Sequence, residues 1–267
     1  MGTVRESLKT ARRIVIKVGT STLAHAESGK LNLYRIEHLI RELADLHNAG
    51  KEIIFVSSGA IAAGMNKLGI KIKPQTIPEN QALAAIGQGV LMHIYEKFFA
   101  EYGQTIGQIL LTKENAIDEH ARENSRNSLQ AILDMDAVPV INENDAVAVD
   151  EIKIGDNDNL SAIVAVMMNA EVLIILSDID GLYDGNPKLD KSARLIDEVP
   201  EINSEIEKIA GGAGTKLGTG GMFTKIQAAK FSTANGVTML IVNGATVGNL
   251  RRALNGENIG TIFPSKE

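Results

Sequence analysis

Two lysines stand beside glycines in settings where a lysine needs a reason. Lys17 lies inside the apolar run "IVIKV" (14–18) and is followed by "GTSTL". An ammonium group in a covered strand is costly unless an anion meets it. An edge strand with Lys17 in solvent is the competing reading. Lys225 closes "GTGGMFTK" (218–225). That stretch fails the Walker pattern, because Thr224 stands where a glycine must precede the lysine. It fails the dinucleotide fingerprint too, with Phe223 in place of the last glycine. Gly220 and Gly221 nevertheless precede a helical pattern, so backbone N–H groups can converge on an anion there. A helix over 222–236 puts Lys225 in its first turn, where a cation opposes the dipole by roughly 0.3–1 kcal/mol. A bound anion would offset that cost.

Acidic residues and their amides crowd residues 142–159, "NENDAVAVDEIKIGDNDN". Asp156, Asn157, Asp158 and Asn159 meet the start of a helical pattern, and capping explains one or two of them but not the density. A calcium loop is a poor fit. Gly155 precedes the cluster, and the twelfth position counted from Asp156 is Met167 rather than glutamate. Carboxylates arranged around cationic side chains and Mg²⁺ fit better.

Two further polar groups follow apolar runs. Ser58 and Gly59 follow "EIIFVS" and open a helix of small residues, so Ser58 either caps that helix or faces an anion at its N-terminus. Ser177 and Asp178 end "EVLIILS" and lead into "DIDG", which reads either as a polar turn or as a nucleotide-contacting loop.

The elements that would position these groups alternate. Short β-branched runs at 14–18, 52–58, 105–112, 137–142, 171–177, 237–242 and 260–264 are continuously apolar, as strands covered on both faces should be. Leu33, Ile36, Ile40, Leu43 and Leu46 repeat at helical spacing before Gly50. Residues 79–103, 159–170 and 222–236 read as helices as well. Strand–helix alternation predicts a parallel sheet with helices on both faces, and ligands at the carboxyl ends of its strands.

The chain of 267 residues suffices for one large α/β domain. The net charge of −6 argues against nucleic acid as the partner. With no cysteine, thiolate chemistry is excluded. No apolar run approaches roughly 18 residues, and the N-terminus lacks an apolar signal core, so a cytoplasmic location without membrane contact is expected. Glu6 breaks the myristoylation pattern that "MGTVRE" begins.

Taken together and in order, "IKVGTSTL", "VSSGAIAAG", "INENDAV", "KIGDNDNLSA", "SDIDGLYDGNP" and "GTGGMFTK" resemble the glutamate 5-kinases of the amino-acid kinase family, over about residues 10–264. The resemblance implies a three-layer α/β/α sandwich with a central, mainly parallel sheet. It implies a single kinase domain, with about 1–165 mainly binding glutamate and about 166–267 mainly binding nucleotide. It also implies a short form without the C-terminal PUA domain that many members carry.

The implied reaction is phosphorylation of the L-glutamate side-chain carboxylate by ATP with Mg²⁺, the first step of proline biosynthesis. Lys17, Lys225 and Asp158 would be catalytic, with Asp158 holding the two lysines. Ser58, Asp145 and Asn157 would bind glutamate. Lys17, Gly19, Gly59, Ser177, Asp178, Thr219, Gly220, Gly221, Met222, Phe223, Thr224 and Lys225 would bind ATP. Ser177 departs from the threonine common in the family but keeps the hydroxyl. Proline would be a feedback inhibitor, and the protein a homodimer or homotetramer.

The inventory suits this chemistry. A carboxylate acceptor is already ionised near pH 7 and needs no base, so His25, His38, His47, His93 and His120 read as structural. Rival readings are a relative acting on N-acetylglutamate, aspartate or carbamate, or a non-catalytic sensor on the same fold.

Overall fold

A computed structural model describes residues 4–112, 115, 118–147, 157–187, 189–211 and 220–266. The chain gathers into two compact units, one of residues 18–157 and the other of residues 1–17 with 158–267. The seven strands expected from the sequence are all present: β1 (Arg13–Val18), β2 (Glu52–Val56), β3 (Ile106–Leu111), β4 (Val138–Glu143), β5 (Val172–Ser177), β6 (Thr238–Asn243) and β7 (Thr261–Phe263).

In the unit of residues 18–157 the strand order is β3-β4-β2, and both pairings are parallel. β2 and β4 are buried along almost their whole length. β3 departs from the expectation of full cover: Gln108 is exposed and only Leu111 is buried. Among the described residues it is paired on one side only, so its apolar run is less covered than its composition suggests. The second strand also stops short of the expected residue 58, at Val56.

Two helices pack on each other in this unit, Ala60–Leu68 and Ile77–Glu101. Their contact is backbone against backbone. A Cβ on Gly64 would lie 2.1 Å from the Leu83 carbonyl oxygen, and one on Gly87 would lie 1.7 Å from that of Ala60. The small residues of "GAIAAG" are what allow this approach. Asn32 caps the helix Leu33–Asn48, its side chain accepting from the Arg35 N–H at 3.1 Å. A helix over Glu119–Asp134, capped by Asp118, was not anticipated; its buried residues are only Ser125 and Leu129.

In the other unit the order is β1-β5-β6-β7. β5 and β6 pair in parallel over six residues, from Val172 with Thr238 to Ser177 with Asn243. β7 runs antiparallel to β6, so the sheet is mainly rather than wholly parallel. Helices Asn157–Met167 and Gly220–Ala234 belong to this part of the chain. Arg5 ties the N-terminus down by donating to the carbonyls of Asp197, Glu257, Ile259 and Gly260. No described helix is long and apolar enough to cross a membrane.

Candidate active site

Lys17 is 6% exposed, which rules out the solvent-facing edge strand. Its Nζ donates to Asp158 Oδ1 at 2.5 Å, and Lys225 Nζ donates to Asp158 Oδ2 at 3.0 Å. Each lysine therefore has its own oxygen of one carboxylate. Thr224 Oγ1 also donates to Oδ2, at 3.0 Å. Asp158 is the second residue of the helix Asn157–Met167, Lys17 is the penultimate residue of β1, and Lys225 rides on the helix Gly220–Ala234.

Burial pushes the Asp158 carboxyl upward. Lys17 and Lys225 outweigh that by charge and by hydrogen bonding, and hold it below the usual carboxylate range. Two ammonium groups on one carboxylate leave a local surplus of positive charge in a buried place. Such a place suits a polyanion.

The helix carrying Lys225 includes Gly220, so Lys225 sits in its second turn, not in the first as expected. Helical side chains lean toward the N-terminus. That lean lets Nζ also donate to the Gly221 carbonyl at 3.0 Å. Met222 and Phe223 lie in the first turn, half-buried. Thr219, also expected to contact nucleotide, lies outside the described residues.

At the end of β5, Ser177 is buried and Asp178 exposed, and the Ser177 hydroxyl donates to Asp178 Oδ1 at 3.3 Å. Just beyond, Asp180 accepts from Asn243 Nδ2 at 2.8 Å and from the Tyr183 hydroxyl at 3.0 Å. "DIDG" is thus a braced loop.

In the unit of residues 18–157, Gly59 has φ +93°, which only glycine adopts without strain. It is the N-cap residue of Ala60–Leu68 and makes no side-chain cap. The reading of Ser58 as a helix cap therefore gives way: its hydroxyl accepts from Asn157 Nδ2 at 3.0 Å. Gly19 has φ −82° and caps the short helix Thr20–Leu23, so its backbone is ordinary.

Asn157 Nδ2 also lies 2.6 Å from the Ser57 carbonyl and 2.8 Å from Asn142 Oδ1. A carbonyl can only accept, so the orientation of this amide is fixed. Ser57 is braced from behind by the Tyr95 hydroxyl at 2.7 Å. Burial pushes that hydroxyl well above its ordinary pKa, so it stays protonated.

Asp145 lines a pocket of about 310 Å³ together with Glu143, Asn144, Gln88, Ala60 and Ala84. Of the three residues expected to bind glutamate, Ser58 and Asn157 touch each other, and Asp145 lies at the pocket. The link is Asn142, which accepts from Asn157 and donates to Gln88 at 2.8 Å. Neither Asn142 nor Gln88 was singled out from the sequence. Asn142 had a signal, being a polar residue at the end of a buried strand. Gln88 had a fainter one, an amide within the apolar helix "LAAIGQGVL". Among the histidines, His25 meets Asn32, His38 meets the Tyr34 carbonyl and His47 meets Asp136.

A family model described as "Amino acid kinase family" matches residues 12–243. A glutamate 5-kinase from Clostridium acetobutylicum is 57% identical over 266 residues, covering 100% of this chain and 99% of that relative. One from Carboxydothermus hydrogenoformans is 54% identical over 264 residues, covering 99% of this chain and 71% of the relative. Among solved structures, carbamate kinase from Giardia lamblia bound to AMP-PNP is similar at a TM-score of 0.68 and 19% identity, over 97% of this chain and 100% of that one. UMP kinase from Bacillus anthracis is similar at 0.64 and 16%, over 96% and 97%. These structural likenesses show the fold: an α/β/α sandwich with a mainly parallel central sheet.

Proposed function

The chain belongs to the amino acid kinase family, and from that premise we propose that it transfers the γ-phosphoryl group of ATP to the side-chain carboxylate of L-glutamate. The products are ADP and L-glutamyl 5-phosphate, and the reaction is the first step of proline biosynthesis. The observation that carries the reading is the buried pair of lysines sharing Asp158, in a chain 57% identical to a glutamate 5-kinase along its full length.

An ionised carboxylate must approach an anionic polyphosphate, so the barrier is repulsion rather than a missing base. Lys17 and Lys225 lower it by placing fixed positive charge at the phosphoryl group in flight. Asp158 keeps them apart and aimed before ATP arrives. Both of its oxygens are engaged by ammonium groups, so Mg²⁺ enters with ATP as part of that substrate. Backbone N–H groups near Gly19, Gly59, Gly220 and Gly221 contact phosphate oxygens, Thr219 to Lys225 line the phosphate region, and Ser177 and Asp178 contact the nucleotide.

Asp145 takes the α-ammonium of glutamate. Asn157 has its NH₂ group spent on Ser57, Ser58 and Asn142, and turns its carbonyl to the substrate. Acceptor binding falls mainly to the unit of residues 18–157 and nucleotide binding mainly to the other. Proline acts as a competing end-product inhibitor, and the protein is a cytoplasmic homodimer or homotetramer.

A coupled ADP-release assay on the purified protein tests the reading. Release should require both MgATP and L-glutamate, and N-acetylglutamate, which lacks the ammonium group, should turn over far more slowly. Equal turnover of the two acceptors, or release indifferent to any amino acid, overturns it.

A further inference from the structure

The amides between the two halves of the acceptor site form a chain of fixed polarity. The Glu143 backbone N–H donates to Asn142 Oδ1 at 2.9 Å, which sets that oxygen as the acceptor. Asn157 Nδ2, itself fixed by the Ser57 carbonyl, points at the same oxygen. Asn142 must therefore present its NH₂ group to Gln88, and it meets Gln88 Oε1 at 2.8 Å. It follows that the Gln88 NH₂ group points away from Asn142.

Gln88 is 9% exposed and lines the pocket that holds Asp145. Its Nε2 has no hydrogen-bond partner among the described residues. Nε2 is not among the sealed, unpaired side-chain atoms of the described residues, so it faces accessible space where a bound ligand can meet it. The pocket supplies acidic groups from Glu143 and Asp145, and small side chains from Ala60, Ala84 and Ala85 make room beside them. A neutral amide donor in a pocket that also holds two carboxylates is suited to a group those carboxylates would repel. The α-carbon of an amino acid carries such a group next to its ammonium.

Resting on the reading of this pocket as the glutamate site, the geometry points to Gln88 as a specificity-determining residue. Its Nε2–H donates to the α-carboxylate of L-glutamate, while its Oε1 stays on Asn142. The helix Ile77–Glu101, not named among the expected contacts, thereby takes part in choosing the acceptor.

The test compares L-glutamate with L-isoglutamine, in which the α-carboxylate is replaced by an amide and the side-chain carboxylate is unchanged. Gln88→Met should raise KM for glutamate about tenfold, the effect of losing one hydrogen bond to a charged group. KM for ATP should hold within about twofold, which reports an intact fold. Gln88→Glu keeps an acceptor for Asn142 but offers the substrate an acceptor instead of a donor. It should move the kcat/KM preference toward isoglutamine by about tenfold or more relative to the unaltered protein.

If both variants keep KM for glutamate within about twofold, the role is refuted. An equal loss for both substrates in Gln88→Glu also refutes it, because that is what a merely structural amide would give. Glutamate turnover by the unaltered protein with either of these results leaves the kinase reading standing. Absence of that turnover removes both.

Discussion

Lys17 and Lys225 are bonded to opposite oxygens of the same carboxylate, one at 2.5 Å and the other at 3.0 Å. They come from opposite ends of the chain, the first from β1 and the second from the helix Gly220–Ala234. The two ammonium groups can stand this close in a buried place only because Asp158 lies between them.

Replacing Asp158 by Asn keeps the shape and removes the charge. The lysines then repel and drift from their aim. Steady-state ADP release should fall by about 10²-fold or more in kcat, the scale seen when a fixed electrostatic group is lost. Stability should fall too, by roughly 3–5 kcal/mol, because buried cations lose their partner. Thermal melting with and without ATP checks both parts, since the polyanion should restore much of the lost stability.

Lys225→Ala should lower kcat by about 10²–10³-fold while leaving KM for glutamate within a few fold. Lys225 bonds to Asp158 and Gly221, neither of which is among the residues proposed to bind glutamate. Unchanged kcat in the ADP-release assay would remove Lys225 from the mechanism.

The pH dependence follows from the direction of the Asp158 shift. Its folded pKa is lowered below an unfolded value of about 3.9. Between those two values the unfolded chain binds more protons, so stability rises with pH there. The contribution is fully present above the unfolded pKa and is lost as pH falls through the folded one. Urea unfolding of the protein and of Asp158→Asn should therefore differ most near neutrality, with the gap closing as pH drops below about 4. A gap that widened on acidification would contradict the assignment.

Gly87→Ala should be severe for so small a change. Its Cβ would sit 1.7 Å from the Ala60 carbonyl oxygen, so the two helices must part. Overpacking of this kind costs about 1–3 kcal/mol, and a clash with backbone belongs at or beyond the top of that range. Because Ala60 lines the pocket that holds Asp145, KM for glutamate should rise as well. Melting temperature and kinetics measured on one preparation check the two effects together.

Much of this was legible in the residues. Mostly apolar runs marked the seven strands, because strands buried on both faces carry few polar positions, although β3 proved to be buried only at Leu111. Lys17 betrayed itself by standing in one of them. Other features had no local trace. Nothing in "GTIFP" tells the direction of β7, since direction is set by the path of the connection rather than by side-chain alternation. Gln88 sits in an apolar helical run, and its partner Asn142 lies far along the chain, so neither could be paired by spacing. Ser58 resembled a helix cap because the type of a residue does not say which way its hydroxyl turns. Lys225 was placed one turn out because the helix includes the glycines before it, a common uncertainty at helix ends.

Gly87, which seats one helix on the other, is the immediate neighbour of Gln88, which faces the pocket. The seam is main chain on main chain, so no side chain can flex to absorb a displacement. Any slip of one helix along the other is handed undamped to the Gln88 amide. Substitutions along this seam should therefore register first as a change in which amino acid is accepted, and they form a natural route by which such a protein could be retuned to a new acceptor.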